Sequence, residues 1–445
     1  MRSFGQSQVL VAGAGPSGIC AAIAAARAGA VVTVLEEKPF VGGNATLGLP
    51  IMTFHAFNGE QVIHGIPQEV IDRLVEAGGC TGHVEARNAH MPSYALVDAE
   101  AIKYVGLQML LEAGVRVILH SFVVDALAEN RTATGIVAAG KSGLCVFTAD
   151  RVVDCTGDAD VAARAGAPFA KGRPEDAGMQ AMSLNFRLGN VDLDTIVTHF
   201  GEGLIVGKKP GEAAERPIRG QGTFGPWDTE VEKEHLFPDR NHHLWWNSFR
   251  EGEVNINTTR IFGKDPTELV SLADAEIEGR RQVHEVIRFL KSHVPGFEKA
   301  HLISTGSQIG IRETRRIVGE YTLTGEDVLE ARRFPDGIAR GSYPVDIHDP
   351  SGKGWGVRFV KAGAAYDIPY RCLVPQEIEN LLVAGRCIST DHVAIGSTRV
   401  MAPCMAMGQA AGLAAALSIE QSVSPRRLDT GLLREALIEQ KANLG

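Results

Sequence analysis

The chain is poor in the features that would give it an early classification. It has seven cysteines (Cys20, Cys80, Cys145, Cys155, Cys372, Cys387, Cys404), but no two form a CxxC pair and their number is odd. That excludes a secreted-type disulfide framework and the redox pair that disulfide reductases carry near the start of the chain, and it fits a reducing, cytoplasmic setting. Positive charge is also short: 44 Lys and Arg face 53 Asp and Glu, for a formal net charge of -9. Nucleic acids and anionic membranes are held by clustered Lys and Arg, so neither is an expected partner. No HExxH or comparable ligand spacing occurs, and the adjacent His242 and His243 are poorly placed to share an ion, so no metal is expected. The N-terminal MRSFGQSQ is too short and polar for a signal peptide. The apolar stretch from Met401 to Ile419 is broken by Pro403, Gln409 and two glycines, which favours a buried helix over a membrane span.

What is present points to a large α/β protein. At 445 residues the chain outgrows one hydrophobic core, so two domains are expected. An apolar run from Gln8 to Ala12, a glycine turn, an Ala-rich helix to about Ala28 and a strand from Val31 to Leu35 make a βαβ start. Pro67 to Ala77 reads as a helix, and Asp98 caps another running to about Ala113. Short strands at Val115–Leu119, Phe122–Leu127, Gly135–Ala139 and Leu144–Thr148 suggest a β-meander before a strand at Arg151–Asp154. Thr267 to His293 has the spacing of one long amphipathic helix.

The fingerprint Gly13-x-Gly15-x-x-Gly18 lies between a strand and a helix, with Glu36 ending the second strand. Gly13 allows the tight turn, Gly15 lets backbone amides approach a pyrophosphate, and Gly18 permits close helix packing. Glu36 can accept both ribose hydroxyls, which disfavours a 2'-phosphate. These residues alone indicate an adenine dinucleotide, FAD or NAD. No second fingerprint follows a strand, so a separate NAD(P)H domain is not expected.

Three further segments, Lys38-x-x-x-Gly42-Gly43-Asn44-Ala45-Thr46, the CTGDAD turn and NLLVAGRCISTDHVAIGSTRVMAPCMAMGQAAG, together resemble the FAD-dependent oxidoreductases related to glutathione-reductase-like and succinate dehydrogenase/fumarate reductase flavoproteins. GIRETRRIVGEYTLTGEDV and SYPVDIHDP look like a subgroup of them. The resemblance implies a Rossmann-like FAD-binding domain over 1–178 and 368–445, with an inserted α+β substrate or cap domain over 179–367. It places FAD along Gly13, Ala14, Gly15, Pro16, Ser17 and Gly18, then Glu36, Glu37 and Lys38, with Gly43, Asn44, Ala45 and Thr46 near the pyrophosphate and flavin. Val124 would pair with adenine, and Thr156, Gly157, Gly385, Arg386, Arg399 and Val400 would complete the site. Many such proteins have an acidic residue after the last glycine, where this chain has Arg386.

The residues also suggest chemistry. A helix starting after Arg399 aims partial positive charge at whatever precedes it, and Arg399 adds a full one, which suits a flavin edge that gains negative charge on reduction. Arg312, Arg315 and Arg316 would share one side of a short helix, either paired with Glu313 and Glu320 as scaffold or with Arg312 facing a substrate carboxylate or polyol. His348, near Asp346 and Asp349, and His392, after Asp391, are the candidate proton carriers. Asn255 and Asn257 would share a strand face, lining a pocket or edging a sheet. Trp227, Trp245 and Trp246 are pocket wall or core. The expectation is a dehydrogenase moving a hydride between flavin N5 and a small polar or anionic substrate. The alternatives are an oxygen-using oxidase or monooxygenase and a non-catalytic, regulatory flavin binder. The electron acceptor is not indicated, and a homo-oligomer is compatible with the reading.

Overall fold

The computed structural model describes residues 2–86, 90–200, 219–222, 244–352 and 355–445; Trp227, His242 and His243 fall outside these. The chain opens with strand β1 (Arg2–Ala12), helix α1 (Pro16–Arg27) and strand β2 (Val32–Leu35). Strands β3 (Arg116–Ile118), β4 (Phe122–Glu129), β5 (Thr132–Gly140) and β6 (Gly143–Asp154) follow. They form one sheet in the order β3-β2-β1-β6-β5-β4, and the distant strand Leu381–Val383 joins the end of β6. β1, β2, β3, β6 and Leu381–Val383 pair in parallel, while β4, β5 and the start of β6 form an antiparallel meander. Val9 and Val11 are buried on one face of the sheet, Leu10 and Ala12 on the other. Burial on both faces explains the unbroken apolar run.

The structure departs from the expected strands in three places. β1 begins at Arg2, because the polar Arg2–Ser7 stretch pairs with Cys145–Ala149 across a bulge. Leu144–Thr148 and Arg151–Asp154 belong to one strand, β6, half in the meander and half in the parallel sheet. Arg116–Ile118 pairs with β2 rather than with the meander. In each case long-range pairing overrides local pattern.

The second region has β7 (Phe186–Gly189), β8 (Arg219–Gly222), β9 (Leu244–Asn247), β10 (Val254–Asn257), the long helix α2 (Leu269–His293) and β11 (His301–Thr305). Its sheet is antiparallel in the order β8-β9-β10-β7-β11. Ala275, Val283, Val286, Phe289 and Leu290 of α2 join its core, which extends from Met182 to Ile309. Leu323, Val328, Ile338, Val345 and Tyr366 pack instead in the first core, although the pattern groups them with 179–367.

Helix α3 (Met401–Glu420) is long and apolar enough to cross a membrane, yet most of it is buried within the fold. It lies on α1 so closely that a Cβ at Gly408 would fall 2.1 Å from the Ser17 carbonyl oxygen, and one at Gly412 1.9 Å from that of Ala21. All seven cysteines are free and buried.

Candidate active site

The ends of the parallel strands border a groove of about 640 Å³, lined after β1 by Gly13 and Gly15, after β2 by Glu36, after β6 by Thr156 and Gly157, and after Leu381–Val383 by Gly385. This volume is in the range of a cofactor-sized pocket. Gly13 has φ +88, and a Cβ at Gly18 would stand 1.8 Å from the Gly13 oxygen, so the turn folds tightly against its own helix. A Cβ at Gly15 would meet only Gly43, at 3.9 Å, which leaves the backbone open to the groove. No side chain caps the start of α1, so its first amides face the groove as anion donors. Glu36 accepts from the Ala14 amide at 2.7 Å and the Lys38 amide at 2.9 Å. Burial pushes its carboxyl up, opposed by the Lys38 and Ala14 donors. Each of its oxygens can accept a further bond, as a ribose diol requires. These features fit FAD.

Asp154, at the end of β6, organises the CTGDAD turn. Its buried carboxylate accepts from Thr156 N and Oγ1 at 3.0 and 2.7 Å and from the Val161 and Ala162 amides, both at 2.9 Å. Asp158 of the same turn accepts from Arg386 at 2.7 Å and from Thr314 at 2.7 Å. Arg386, standing where related proteins have an acid, is therefore tethered to an acid supplied by the neighbouring turn.

A second cavity, of about 150 Å³, shares Asn44, Ile311, Arg386, Arg399 and Met401 with the groove. It would admit a molecule of roughly benzene size. Its lining holds Arg260, Arg312, Arg386 and Arg399, with Asp346 the one carboxylate among its described lining residues. Ser183 Oγ accepts from Arg312 at 2.9 Å and Arg260 at 3.1 Å, and donates to the Thr259 carbonyl at 2.7 Å. Arg399 reaches the Asp346 carbonyl at 3.0 Å and its carboxylate at 3.4 Å. Burial, then the Arg260 and Arg399 charges, holds the Arg312 guanidinium well below its usual range. His348 Nε2 lies 3.8 Å from Asp346. Burial and the Arg312 charge push its imidazole well below the usual range, so it is neutral at pH 7. The Tyr343 hydroxyl donates to Asp346 at 3.0 Å. α3 starts beside this cavity without a side-chain cap.

The expected residues fall at different distances from these cavities. Pro16, Ser17, Glu37, Lys38, Gly43, Asn44 and Arg386 line the groove, and Val400 lines the chamber. Ala14 supports Glu36, and Thr46 donates to the Gly43 carbonyl at 2.7 Å. Ala45 is buried behind them. Val123 rather than Val124 lines the groove; Val124 sits at a bulge and its carbonyl accepts from Arg164 at 3.0 Å.

His392 lines neither cavity. Its Nδ1 lies 2.9 Å from the buried Glu313, which also pairs with Arg316. The expected short helix over 312–316 does not form, because Arg315–Ile317 is a strand paired with Phe169–Lys171. The three arginines therefore diverge: Arg312 to the chamber, Arg315 to Asp158 and Asp160 at the groove, and Arg316 to Glu313. Glu320 pairs with Arg426 instead. Asn255 and Asn257 share a face of β10, an interior strand, and Asn257 lines the chamber with Trp245 and Trp246. Arg260, Ser183 and Tyr343 were not anticipated; Arg260 and Ser183 stand in sequence without a motif, and Tyr343 lies in the SYPVDIHDP segment, where Asp346 and His348 carry the signal.

No curated protein matches the chain. Among solved structures, a geranylgeranyl bacteriochlorophyll reductase-like protein from Thermoplasma acidophilum shares 14% identity over 98% of this chain and 84% of its own, with a TM-score of 0.52. The flavin-dependent brominase Bmp2 shares 12% over 98% and 83%, TM-score 0.51. The p-nitrophenol 4-monooxygenase PnpA from Pseudomonas putida DLL-E4 shares 14% over 100% and 88%, TM-score 0.50. At such identities the likeness is one of fold. The family model for FAD dependent oxidoreductases matches residues 8–437, and with a fingerprint turn, acidic strand end and groove that suit its cofactor, this chain belongs to that family: it is an enzyme, and its cofactor is FAD.

Proposed function

We propose that the enzyme is of the dehydrogenase type, moving a hydride between FAD and a small anionic organic substrate held in the chamber. The observation that carries this is Arg312, which lines the cavity where it meets the groove and is bonded to the Ala181 carbonyl and the Ser183 hydroxyl rather than to a carboxylate. A guanidinium held by neutral groups at a cavity wall calls for an anion. Bound FAD supplies a two-electron hydride acceptor. Arg399 and the uncapped first turn of α3 put positive charge where the two cavities meet, which favours the arrival of electrons there.

His348 is the proton carrier in this reading. Burial and then the nearby guanidinium charge hold its proton affinity down, and an anion bound against those arginines offsets the second of these, so the base is strengthened once substrate is in place. Asp346 orients the imidazole and Arg399 together.

Anaerobic mixing of the FAD-loaded protein with a panel of small carboxylates tests the reading: at least one should bleach the oxidised flavin band. Bleaching by neutral compounds alone would overturn it. The second reading, an oxygen-using enzyme, draws on the apolar side of the chamber, where Trp245 meets Leu49, Pro50 and Met52. p-Nitrophenol 4-monooxygenase shares the fold. Fast oxygen uptake after photoreduction, with hydroxylated product or peroxide, would select it.

A further inference from the structure

The chamber has a second side that the arginines do not explain. In β9 and β10, Trp245 stands opposite Asn257. Continuing the register from Phe186 opposite Ile256 brings Asn185 next to Asn257 on the other side. Trp245, Asn257 and Asn185 thus form a shelf across neighbouring strands, and all three line the chamber. The Asn185 amide donates to the Leu47 carbonyl at 3.4 Å. Among the described residues, the Oδ1 atoms of Asn185 and Asn257 are both buried without a hydrogen-bond partner.

A buried acceptor left unpaired is costly, so two on one shelf of a ligand chamber call for donors from the ligand. Charge decides which kind. An ammonium group could donate, but it would enter beside Arg312, a guanidinium bonded to neutral groups rather than to a carboxylate, and like charges at that range repel strongly. Neutral hydroxyls donate without that penalty. The face of Trp245 offers an apolar platform for the C–H side of a carbon chain.

We infer that the chamber takes a polyhydroxylated carboxylic acid, of the sugar-acid class, with its carboxylate against Arg260 and Arg312 and its hydroxyls donating to Asn185 and Asn257. This rests on the anionic-substrate reading and adds the hydroxyl requirement to it. A cavity of about 150 Å³ limits the chain to about three or four carbons.

The test titrates the FAD-loaded, full-length protein anaerobically, reading perturbation or loss of the flavin absorbance. Three probe sets are compared: aldonates and aldarates of three and four carbons, plain carboxylates of matched length, and neutral alditols. Sugar acids should bind at least about tenfold tighter than either control. Asn257→Leu should bring them down to the level of the plain acids, whose own binding changes less than about twofold, whereas Arg312→Met should weaken both kinds of acid. If plain acids bind and sugar acids gain nothing over them, the inference falls and the anionic reading stands. If neither acid perturbs the flavin, both fall. The wild-type comparison decides even if a variant fails to fold.

Discussion

The groove and the chamber meet at Arg399 and Met401, yet they are built on opposite principles. The groove is mostly backbone: two glycine turns, the open start of α1, and a carboxylate fixed by amides. Its fit depends on the absence of side-chain atoms. The chamber is made of side chains, four of them arginines. Damage to the groove should therefore reach the fold itself, whereas damage to the chamber should remove chemistry and leave the fold intact.

The largest expected effect tests the first half of that contrast. Gly18→Ala puts a methyl where only 1.8 Å separates it from the Gly13 oxygen. Bound FAD should be lost and the thermal midpoint should fall, with destabilisation of about 3 kcal/mol or more, read from the flavin-to-protein absorbance ratio and a melting curve. A variant that keeps its FAD would break the contrast.

Next, Arg312→Met should cut kcat/KM for the acid that bleaches the flavin by about a hundredfold or more, while FAD is retained and the melting temperature is unchanged or higher, since a crowded charge has gone. A lower melting temperature with loss of flavin would mean the chamber is scaffold too.

Acid should separate the regions by sign. His348 has a lower pKa folded than unfolded, so the unfolded chain binds protons more readily and stability falls as pH drops below about 6.5. His83, pushed down to about 4 by burial, works in the same direction, for about 2 kcal/mol between pH 7 and pH 5. Glu36 is raised, so its protonation favours the folded state and offsets part of that loss. In urea melts of the FAD-free protein, His83→Gln and His348→Asn should flatten the acid branch and Glu36→Gln should steepen it. A uniform response would remove the distinction.

The smallest effect concerns the two histidines. His392→Asn should change the flavin reduction rate by less than about twofold, because its partner is Glu313. His348→Asn should slow it about a hundredfold. The reverse ranking would move the proton to His392.

The same contrast accounts for what the sequence revealed. Gly13, Gly15, Gly18 and Glu36 were legible because a backbone cradle demands particular residues at fixed spacing, and the helices were legible at Asp98 by a cap, at Thr267 by period and at Met401 by an apolar run. Arg260 follows a strand with no motif around it, and only the crossing of β7 and β10 brings it to Ser183. The RETRR stretch looks helical locally, but pairing with Phe169–Lys171 makes it a strand and sends its arginines apart. His392 adjoins a motif in sequence and is turned away from the chamber by a buried acid.

The contact of Gly408 and Gly412 with α1 also bears on how the protein is made. The fingerprint helix leaves the ribosome well before the helix that seals its back, which lies nearly 400 residues further along the chain. Until then the nascent chain exposes an Ala-rich surface with nothing to cover it, and the groove lacks the wall supplied by Gly385 and Arg399. A complete groove thus waits on the later segment, because residues nearly 400 positions apart must close on each other to wall it.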